Sequence, residues 1–296
     1  MATSPPTPFG RLLTAMVTPF TADGAVDIDE ARRLAVHLVD DQRNDGIVVN
    51  GTTGEAPTTT DDEKRALVRV VAEAVGDRAV VVAGIGTNDT AHTQRLAEQA
   101  ADAGAHGLLV VTPYYSRPPQ AGIVAHFGAV ADTTDLPVMI YDIPHRAGVP
   151  VDEESLAALA AHPRITAVKD AKGNIASSAR LIADTDLAYY AGDDAMVLPL
   201  LAVGGSGLVG TSTHLTGALT ADLIAAWNRG DQGEALSIYR RLLPVYRGVF
   251  ATQGVLLVKA GLAARGFAPG SVRLPLVDAT ADQVATFIGL LDAAGL

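Results

Sequence analysis

The chain has 296 residues, of which 48% are hydrophobic and 19% charged. This length allows one barrel-sized domain or two smaller ones, and the composition excludes a disordered or low-complexity chain. Its 22 basic and 33 acidic side chains give a net charge of −11, which repels a phosphate backbone and disfavours nucleic acid or an anionic membrane as a partner. The absence of cysteine excludes disulfides, thiolate nucleophiles and cysteine-based metal sites.

The first ten residues contain Pro and Ser but neither a basic start nor an apolar core. They predict a flexible N-terminal tail over residues 1–10 and no signal peptide. No apolar run reaches the roughly 18–20 residues that a membrane-spanning helix needs. We therefore expect a cytoplasmic protein without a membrane partner.

Short apolar runs alternate with amphipathic stretches along most of the chain, as expected for parallel strands joined by crossover helices. In chain order the runs are Leu12–Thr18, Gly46–Asn50, Ala79–Gly84, Gly107–Thr112, Pro137–Ile143, Ile165–Lys169, Leu187–Ala191 and Gly207–Thr211. Eight such units predict an α/β fold, a (β/α)₈ TIM barrel, over residues 11–215. Periodicity alone also allows a doubly wound sheet.

About eighty residues follow the eighth run without another strand pattern. Helical spacing recurs near residues 217–228, 233–250, 254–265 and 282–294. These segments predict a C-terminal helical extension over residues 216–296 that packs on the barrel and forms no second domain.

In a TIM barrel the active site lies at the C-terminal ends of the strands. Polar residues in these places follow the second, fourth, fifth and sixth runs. They occur in the segments Gly51–Glu55 (GTTGE), Thr112–Tyr115 (TPYY), Tyr141–Arg146 (YDIPHR) and Val168–Asp170 (VKD).

Lys169 is the most informative of these residues, because it alone among four lysines ends an apolar strand. Burial lowers the pKa of a lysine and leaves a neutral amine that can attack a carbonyl to form a Schiff base. The alternatives are a lysine that extends from the barrel rim into solvent and a lysine that pairs with Asp170.

The other candidates each have a structural alternative as well. Tyr141 is placed to pass a proton or to pack, and Thr52 and Thr53 are placed to bind a carboxylate or to form a plain glycine turn. Arg146 suits bidentate carboxylate recognition or a surface ion pair.

Two further patterns were considered as possible dinucleotide and metal sites, and neither fits the pattern that such a site requires. Residues 205–210 match GxGxxG, but the glycines enter the eighth strand and do not lead into a helix, so we expect no dinucleotide site. The seven histidines show no metal-ligand spacing, so we expect no metal and no other cofactor.

The four motifs, in this order and spacing, resemble the pyruvate-dependent class I aldolase family, which includes dihydrodipicolinate synthase and N-acetylneuraminate lyase. The resemblance covers about residues 10–295 and rests on GTTGE, TPYY, YDIP (Tyr141–Pro144) and VKDA (Val168–Ala171). It implies condensation of pyruvate with L-aspartate 4-semialdehyde in the diaminopimelate route to lysine, because Arg146 is typical of the synthases.

The resemblance also implies roles for individual residues. Lys169 would form the Schiff base, and Tyr141, Thr52 and Tyr115 would move protons, with Tyr115 reaching the site of a neighbouring subunit. This implies a homo-oligomer, usually a tetramer built as a dimer of dimers. The residues expected to bind substrate are Thr53, Arg146, Val209 and Gly192.

The chain departs from the family pattern at several positions. Asp142 replaces a frequent Asn, and His145 replaces a small residue. Lysine-inhibited members usually carry His and Glu in an effector pocket, where this chain has Asp61, Lys64 and His92. Because Lys64 adds a like charge there, we expect weak or absent inhibition by lysine.

Two other hypotheses remain at this stage. One is a sister reaction of the family, on a 2-keto-3-deoxy sugar acid or N-acetylneuraminate. The other is a silent paralogue that only binds ligand or assembles, although the chain keeps the whole Lys–Tyr–Thr–Tyr set.

Overall fold

The computed structural model describes residues 5–296, so part of the predicted N-terminal tail, residues 1–4, lies outside the described residues. Within residues 5–296, eight parallel strands close into a barrel in which β1 pairs with both β2 and β8. The strands β1–β8 are Leu12–Ala15, Gly46–Val49, Val80–Gly84, Gly107–Val111, Val138–Asp142, Ile165–Asp170, Ala188–Ala191 and Gly207–Gly210. The predicted TIM barrel is confirmed, and closure of the sheet excludes the doubly wound alternative.

Twelve α-helices surround or extend the barrel in this part of the chain. In order, α1–α12 are Ile28–Asp40, Asp61–Val75, Thr90–Asp102, Gln120–Asp132, Pro144–Ala147, Glu153–Ala160, Ile175–Asp184, Val197–Ala202, Thr213–Asn228, Gln232–Gly248, Gly254–Ala263 and Ala281–Ala293. Thr60 and Glu63 form a complete capping box at α2, so the sequence pattern fixes this helix start. At α1, Asp27 caps the helix, but the side chain of Glu30 bonds to Arg33 instead.

The core has two layers because successive strand residues face opposite sides of the sheet. Inward-facing side chains such as Leu13, Val48 and Met139 fill the barrel, and outward-facing ones such as Leu12 and Ile47 pack against the helices. The inner layer also contains Phe9, whose ring is 1% exposed and lies 6.4 Å from that of Tyr190. The barrel floor thus includes a residue of the segment that the sequence predicts to be a loose tail.

The chain after β8 begins with α9, which serves as the outer helix of the eighth βα unit. The division predicted at residues 215 and 216 falls inside this helix. Helices α10, α11 and α12 follow, and Tyr246, Val258 and Phe287 from them are buried in the outer core layer.

The glycines of the GxGxxG pattern serve the packing of the barrel. A Cβ at Gly207 would lie 1.8 Å from the carbonyl oxygen of Arg11, and one at Gly205 would lie 2.8 Å from that of Leu200. Only glycine permits these close approaches of backbone to backbone.

Candidate active site

A cavity of about 430 Å³ opens at the C-terminal ends of the strands, where the barrel predicts the site. Its lining includes Thr52, Tyr141 and Arg146, and also Asp61, Lys64 and His92. Three of the predicted site residues therefore share one cavity with the three residues of the expected effector pocket.

Lys169 and Tyr141 are paired in register on the neighbouring strands β6 and β5. Both point into the barrel, and the Lys169 Nζ lies 4.2 Å from the centroid of the Tyr141 ring. Lys169 is 5% exposed, and burial lowers its pKa to about 8, with the Asp194 carboxylate opposing and Arg146 adding to the shift. A substantial fraction of the amine is therefore neutral near pH 7–8 and able to attack a carbonyl.

The hydroxyl of Tyr141 keeps its proton at neutral pH. Burial raises its pKa to about 12, while the Arg146 cation and a hydrogen bond with Thr52 act in the opposite direction. A protonated phenol beside a neutral amine, joined to the exposed Thr52 hydroxyl, gives a short path for a proton between the amine and the cavity.

The GTTGE segment forms a tight turn after β2. The amide of Gly54 donates to the carbonyl of Gly51 at 3.1 Å, and the Thr18 hydroxyl donates to the carbonyl of Gly54 at 2.7 Å. The Thr53 and Thr211 hydroxyls lie 3.3 Å apart. The turn thus presents Thr53 to the end of β8, which carries Val209 on its inner face.

Gly192 directly follows β7, and its amide donates to the carbonyl of Asp170 at 2.8 Å. A Cβ here would lie 3.0 Å from that of Ala171. The amide of Gly192 is thus engaged in a hydrogen bond to β6, so a ligand would contact the carbonyl oxygen of Gly192 and not its amide.

Arg146 lies on the short helix α5, which ends at Gly148 in the left-handed region at φ +84°. Its NH2 group donates to the Oε1 of Gln253 at 2.9 Å. Among residues 5–296, no carboxylate forms an ion pair with Arg146, so the surface ion pair considered from the sequence does not form. The guanidinium faces the cavity with its charge available to an anion.

Tyr115 is not brought to the other predicted catalytic residues within one chain. Its side chain is 89% exposed, its φ is +71°, and the neighbouring Tyr114 lines the cavity in its place. The structure of the single chain therefore assembles Lys169, Tyr141 and Thr52 but leaves Tyr115 on the surface.

Asp194 and Gln253 are residues near the site that the sequence analysis did not select. The fully buried Asp194 accepts hydrogen bonds from the amides of Thr211 and Ser212 at 3.0 and 2.8 Å. Burial raises the pKa of Asp194, and its hydrogen bonds with Ser212 and Thr211 oppose that shift. The sequence gives a weak indication of Asp194, because it lies two positions after the predicted site residue Gly192. No local pattern indicates Gln253, which lies 107 residues after Arg146.

Residues 5–296 offer neither a metal centre nor a membrane-spanning helix. No group of three or more His, Asp or Glu side chains there is arranged to hold a metal ion. In the same range, no helix combines the length and apolarity that crossing a membrane requires.

Comparison with known proteins agrees with the geometry. The sequence profile described as the dihydrodipicolinate synthetase family matches residues 8–294. A 4-hydroxy-tetrahydrodipicolinate synthase of Acidothermus cellulolyticus is 62% identical over 290 residues, covering 98% of this chain and 94% of that one. One from Cutibacterium acnes is 63% identical over 284 residues, covering 96% and 97%. The crystal structure of the dihydrodipicolinate synthase from Cyanidioschyzon merolae with lysine bound has a TM-score of 0.95 and 40% identity, covering 98% of this chain and 99% of that one.

Proposed function

Because the chain belongs to the dihydrodipicolinate synthetase family, we propose that it condenses pyruvate with L-aspartate 4-semialdehyde, as a 4-hydroxy-tetrahydrodipicolinate synthase does. The observation that carries this proposal is the buried Lys169 amine, which lies against the ring of Tyr141. Tyr141 in turn lines the cavity that holds Arg146, which has no carboxylate partner among residues 5–296. The enzyme is a lyase of the diaminopimelate route to lysine, and its small polar substrates fit a cytoplasmic location.

The first half of the reaction uses Lys169. Its neutral Nζ attacks the ketone carbon of pyruvate, and the ketone oxygen leaves as water to give an iminium. The iminium draws electrons from the neighbouring methyl carbon, which loses a proton and becomes the enamine carbon. Tyr141 and Thr52 carry these protons, and Tyr115 of a second subunit completes the relay.

The pyruvate carboxylate needs donors close to Lys169. We assign this role to Thr53, with backbone groups at Val209 and Gly192 lining the same pocket. The contact of Thr53 with Thr211 at the end of β8 supports the assignment, because it turns the Thr53 hydroxyl toward the barrel mouth.

The second half of the reaction uses Arg146. Its guanidinium binds the carboxylate of L-aspartate 4-semialdehyde, and the enamine carbon attacks the aldehyde carbon to form the new carbon–carbon bond. The aldehyde oxygen takes a proton from the relay and becomes a hydroxyl group, and the iminium on Lys169 forms again. The amine of the substrate then attacks the imine carbon, closes the ring and releases Lys169. Every carbon–carbon and carbon–nitrogen bond in this cycle forms between or within the two substrates and Lys169.

Tyr115 is the residue that links the proposed reaction to the quaternary structure. A tyrosine that is 89% exposed at a positive φ serves no packing purpose in its own chain. We assign it to the site of a partner subunit in a tight dimer, and assign the enzyme to a tetramer made of two such dimers.

Consumption of pyruvate by the purified protein tests this function. We expect consumption only when L-aspartate 4-semialdehyde is present, and none with the Lys169→Ala variant as the blank. The contrary result is that pyruvate is not consumed in the presence of the aldehyde, although chemical reduction still traps it on Lys169. This result would refute the synthase activity and favour a sister reaction on a sugar acid.

Replacing Arg146 tests the second substrate. Arg146→Met removes a charge-assisted hydrogen-bond pair of about 3 kcal/mol, so we expect the KM for L-aspartate 4-semialdehyde to rise about a hundredfold. The pyruvate adduct on Lys169 should still form, although more slowly at a fixed pH, because Arg146 adds to the lowering of the pKa of Lys169. Arg229→Met, which removes an exposed arginine paired with Glu234, is the control, and an equal loss of adduct in Arg146→Met would contradict the assignment.

A further inference from the structure

A buried ion pair lies behind the barrel wall, below the loop that carries Arg146. Asp142, the last residue of β5, is 0% exposed, and its Oδ2 lies 3.1 Å from the Nζ of Lys172. Lys172 follows β6 and its side chain is 12% exposed. Among residues 5–296, Oδ2 of Asp142 has no other polar partner.

The same pair holds both ends of one loop. The Oδ1 of Asp142 accepts a hydrogen bond from the amide of Val151 at 3.2 Å, and Lys172 Nζ donates to the carbonyl of Val151 at 3.3 Å. Residues 143–150 leave the barrel after Asp142 and return at Val151. We call Asp142, Val151 and Lys172 the clasp, because they close the neck of the loop that includes α5 and Arg146.

Lys172 is itself held rigidly. Its amide donates to the Oδ1 of Asp170 at 2.8 Å, and Ser178 donates to the other oxygen of that carboxylate. Since Asp142 and Asp170 face outward where Tyr141 and Lys169 face inward, the clasp lies on the opposite side of the barrel wall from the Schiff-base amine. A change in the clasp therefore reaches the site through the loop.

We propose that Asp142 and Lys172 are positioning residues that fix Arg146 for the carboxylate of the second substrate, an inference that rests on the proposed function. Burial raises the pKa of Asp142, and the Lys172 cation opposes that rise by favouring the charged carboxylate. An ionised, paired Asp142 binds the neck of the loop more tightly than a neutral side chain does. Arg146 is also held directly, by its hydrogen bond to Gln253.

The Lys172→Met variant tests the clasp by two independent measurements. We expect the KM for L-aspartate 4-semialdehyde to rise about tenfold, because small misplacements of a binding group weaken orientation steeply. The KM for pyruvate and the yield of the adduct on Lys169 should stay unchanged. Hydrogen–deuterium exchange should become faster across residues 143–151 and stay unchanged in β5 and β6.

Three further variants make the result specific. Lys172→Arg keeps the cation and should restore part of the lost affinity. Arg43→Met removes a cation from the exposed pair with Asp222 and should change neither measurement. Because Asp142 and Lys172 act as a pair, the double variant Asp142→Asn with Lys172→Met should lose less than the sum of the two single variants.

The outcomes separate the inference from the proposed function. Suppose that the wild-type protein turns over both substrates, and that Lys172→Met changes neither the KM for L-aspartate 4-semialdehyde nor the hydrogen–deuterium exchange of residues 143–151. The positioning role of the clasp is then refuted and the proposed function stands. If exchange of the loop changes but the wild-type protein does not use L-aspartate 4-semialdehyde, the function is refuted and the positioning role with it. If Lys172→Met does not fold, the same two measurements are made on Asp142→Asn, with the same expected results.

Discussion

The four lysines show how position in the fold decides the chemistry of a residue. Lys169 lies inside the barrel beside Tyr141, whereas Lys172 and Lys259 lie in buried ion pairs with Asp142 and Glu55. Burial lowers the pKa of both Lys169 and Lys259, but at Lys259 the directly paired Glu55 carboxylate opposes the shift, whereas no carboxylate among residues 5–296 forms an ion pair with Lys169. The amine of Lys169 is therefore the one suited to imine formation.

The pH dependence of imine formation follows from the pKa of Lys169. Burial lowers this pKa to about 8, so the amine is mostly charged at pH 6 and mostly neutral at pH 9. We expect the initial rate of pyruvate trapping by cyanoborohydride to rise with pH and level off above a midpoint near 8. Tyr141, with a pKa near 12, stays protonated throughout. A midpoint above pH 10 would contradict the assignment of Lys169.

Lys64 governs the expected response to lysine. It lies in the same cavity as Asp61 and His92, and its ammonium donates to the carbonyl of Thr59. Asp61 is already bonded to His92 at 2.9 Å, so the cavity presents a cation and an engaged carboxylate to the two ammonium groups of L-lysine. We expect initial rates to stay constant when L-lysine is added at physiological concentrations, and a clear fall in rate would show this to be wrong.

At the scale of elements, the C-terminal extension holds the GTTGE turn. Glu55, at φ +55° and 2% exposed, bonds to Lys259 of α11 at 2.9 Å and accepts from the amide of Arg273 at 2.9 Å. Both cations contact the Phe20 ring: the Lys259 Nζ lies 4.4 Å and the Arg273 guanidinium 4.3 Å from its centroid. A turn next to the substrate pocket is thus fixed by residues more than 200 positions later.

Removing Lys259 tests this dependence. Lys259→Met leaves the carboxylate of Glu55 buried without its cation, so we expect the free energy of unfolding to fall by about 3 kcal/mol. The KM for pyruvate should rise as the turn carrying Thr53 loosens. Chemical denaturation measures the first effect and steady-state kinetics the second.

The matched control for Lys259 is a double variant. Glu55→Gln with Lys259→Met removes both charges, and it should be more stable than Lys259→Met alone because no unpaired charge remains buried. If the double variant loses as much stability as the two single variants together, the ion pair is not what holds the turn.

At the scale of the whole molecule, one chain does not complete the proposed proton relay. The barrel brings together Lys169, Tyr141 and Thr52, and the extension supplies Gln253 to Arg146. Tyr115 points away from this set on an exposed loop. Under the proposed function, Tyr115 would therefore complete this set only from a second subunit.

Mixing two inactive variants tests the shared site. Tyr115→Phe lacks the donated hydroxyl and Lys169→Ala lacks the amine, so each homo-oligomer should have low activity. In a mixed dimer the site with an intact Lys169 receives Tyr115 from the other subunit, and activity should return after the subunits are exchanged. A mixture no more active than its components would place Tyr115 outside the partner's site.

Local patterns were sufficient for much of the molecule. Strand and helix periodicity depends on neighbours a few residues apart, so all eight strands and the closed barrel were predictable. The ends of those strands also located Lys169, Tyr141, Thr52 and Arg146, because parallel strands bring their C-terminal ends to one edge. The four motifs found there carried the resemblance that the family comparison confirmed.

Tertiary structure alone decided the contacts that prepare these residues for chemistry. Arg146 meets Gln253, Glu55 meets Lys259, and Asp142 meets Lys172 across 107, 204 and 30 residues of sequence. No local pattern encodes such pairs, since they depend on which helices and loops pack together after the barrel closes. The degree of burial that lowers the pKa of Lys169 is likewise a property of the assembled core, where neighbouring elements remove water from the amine.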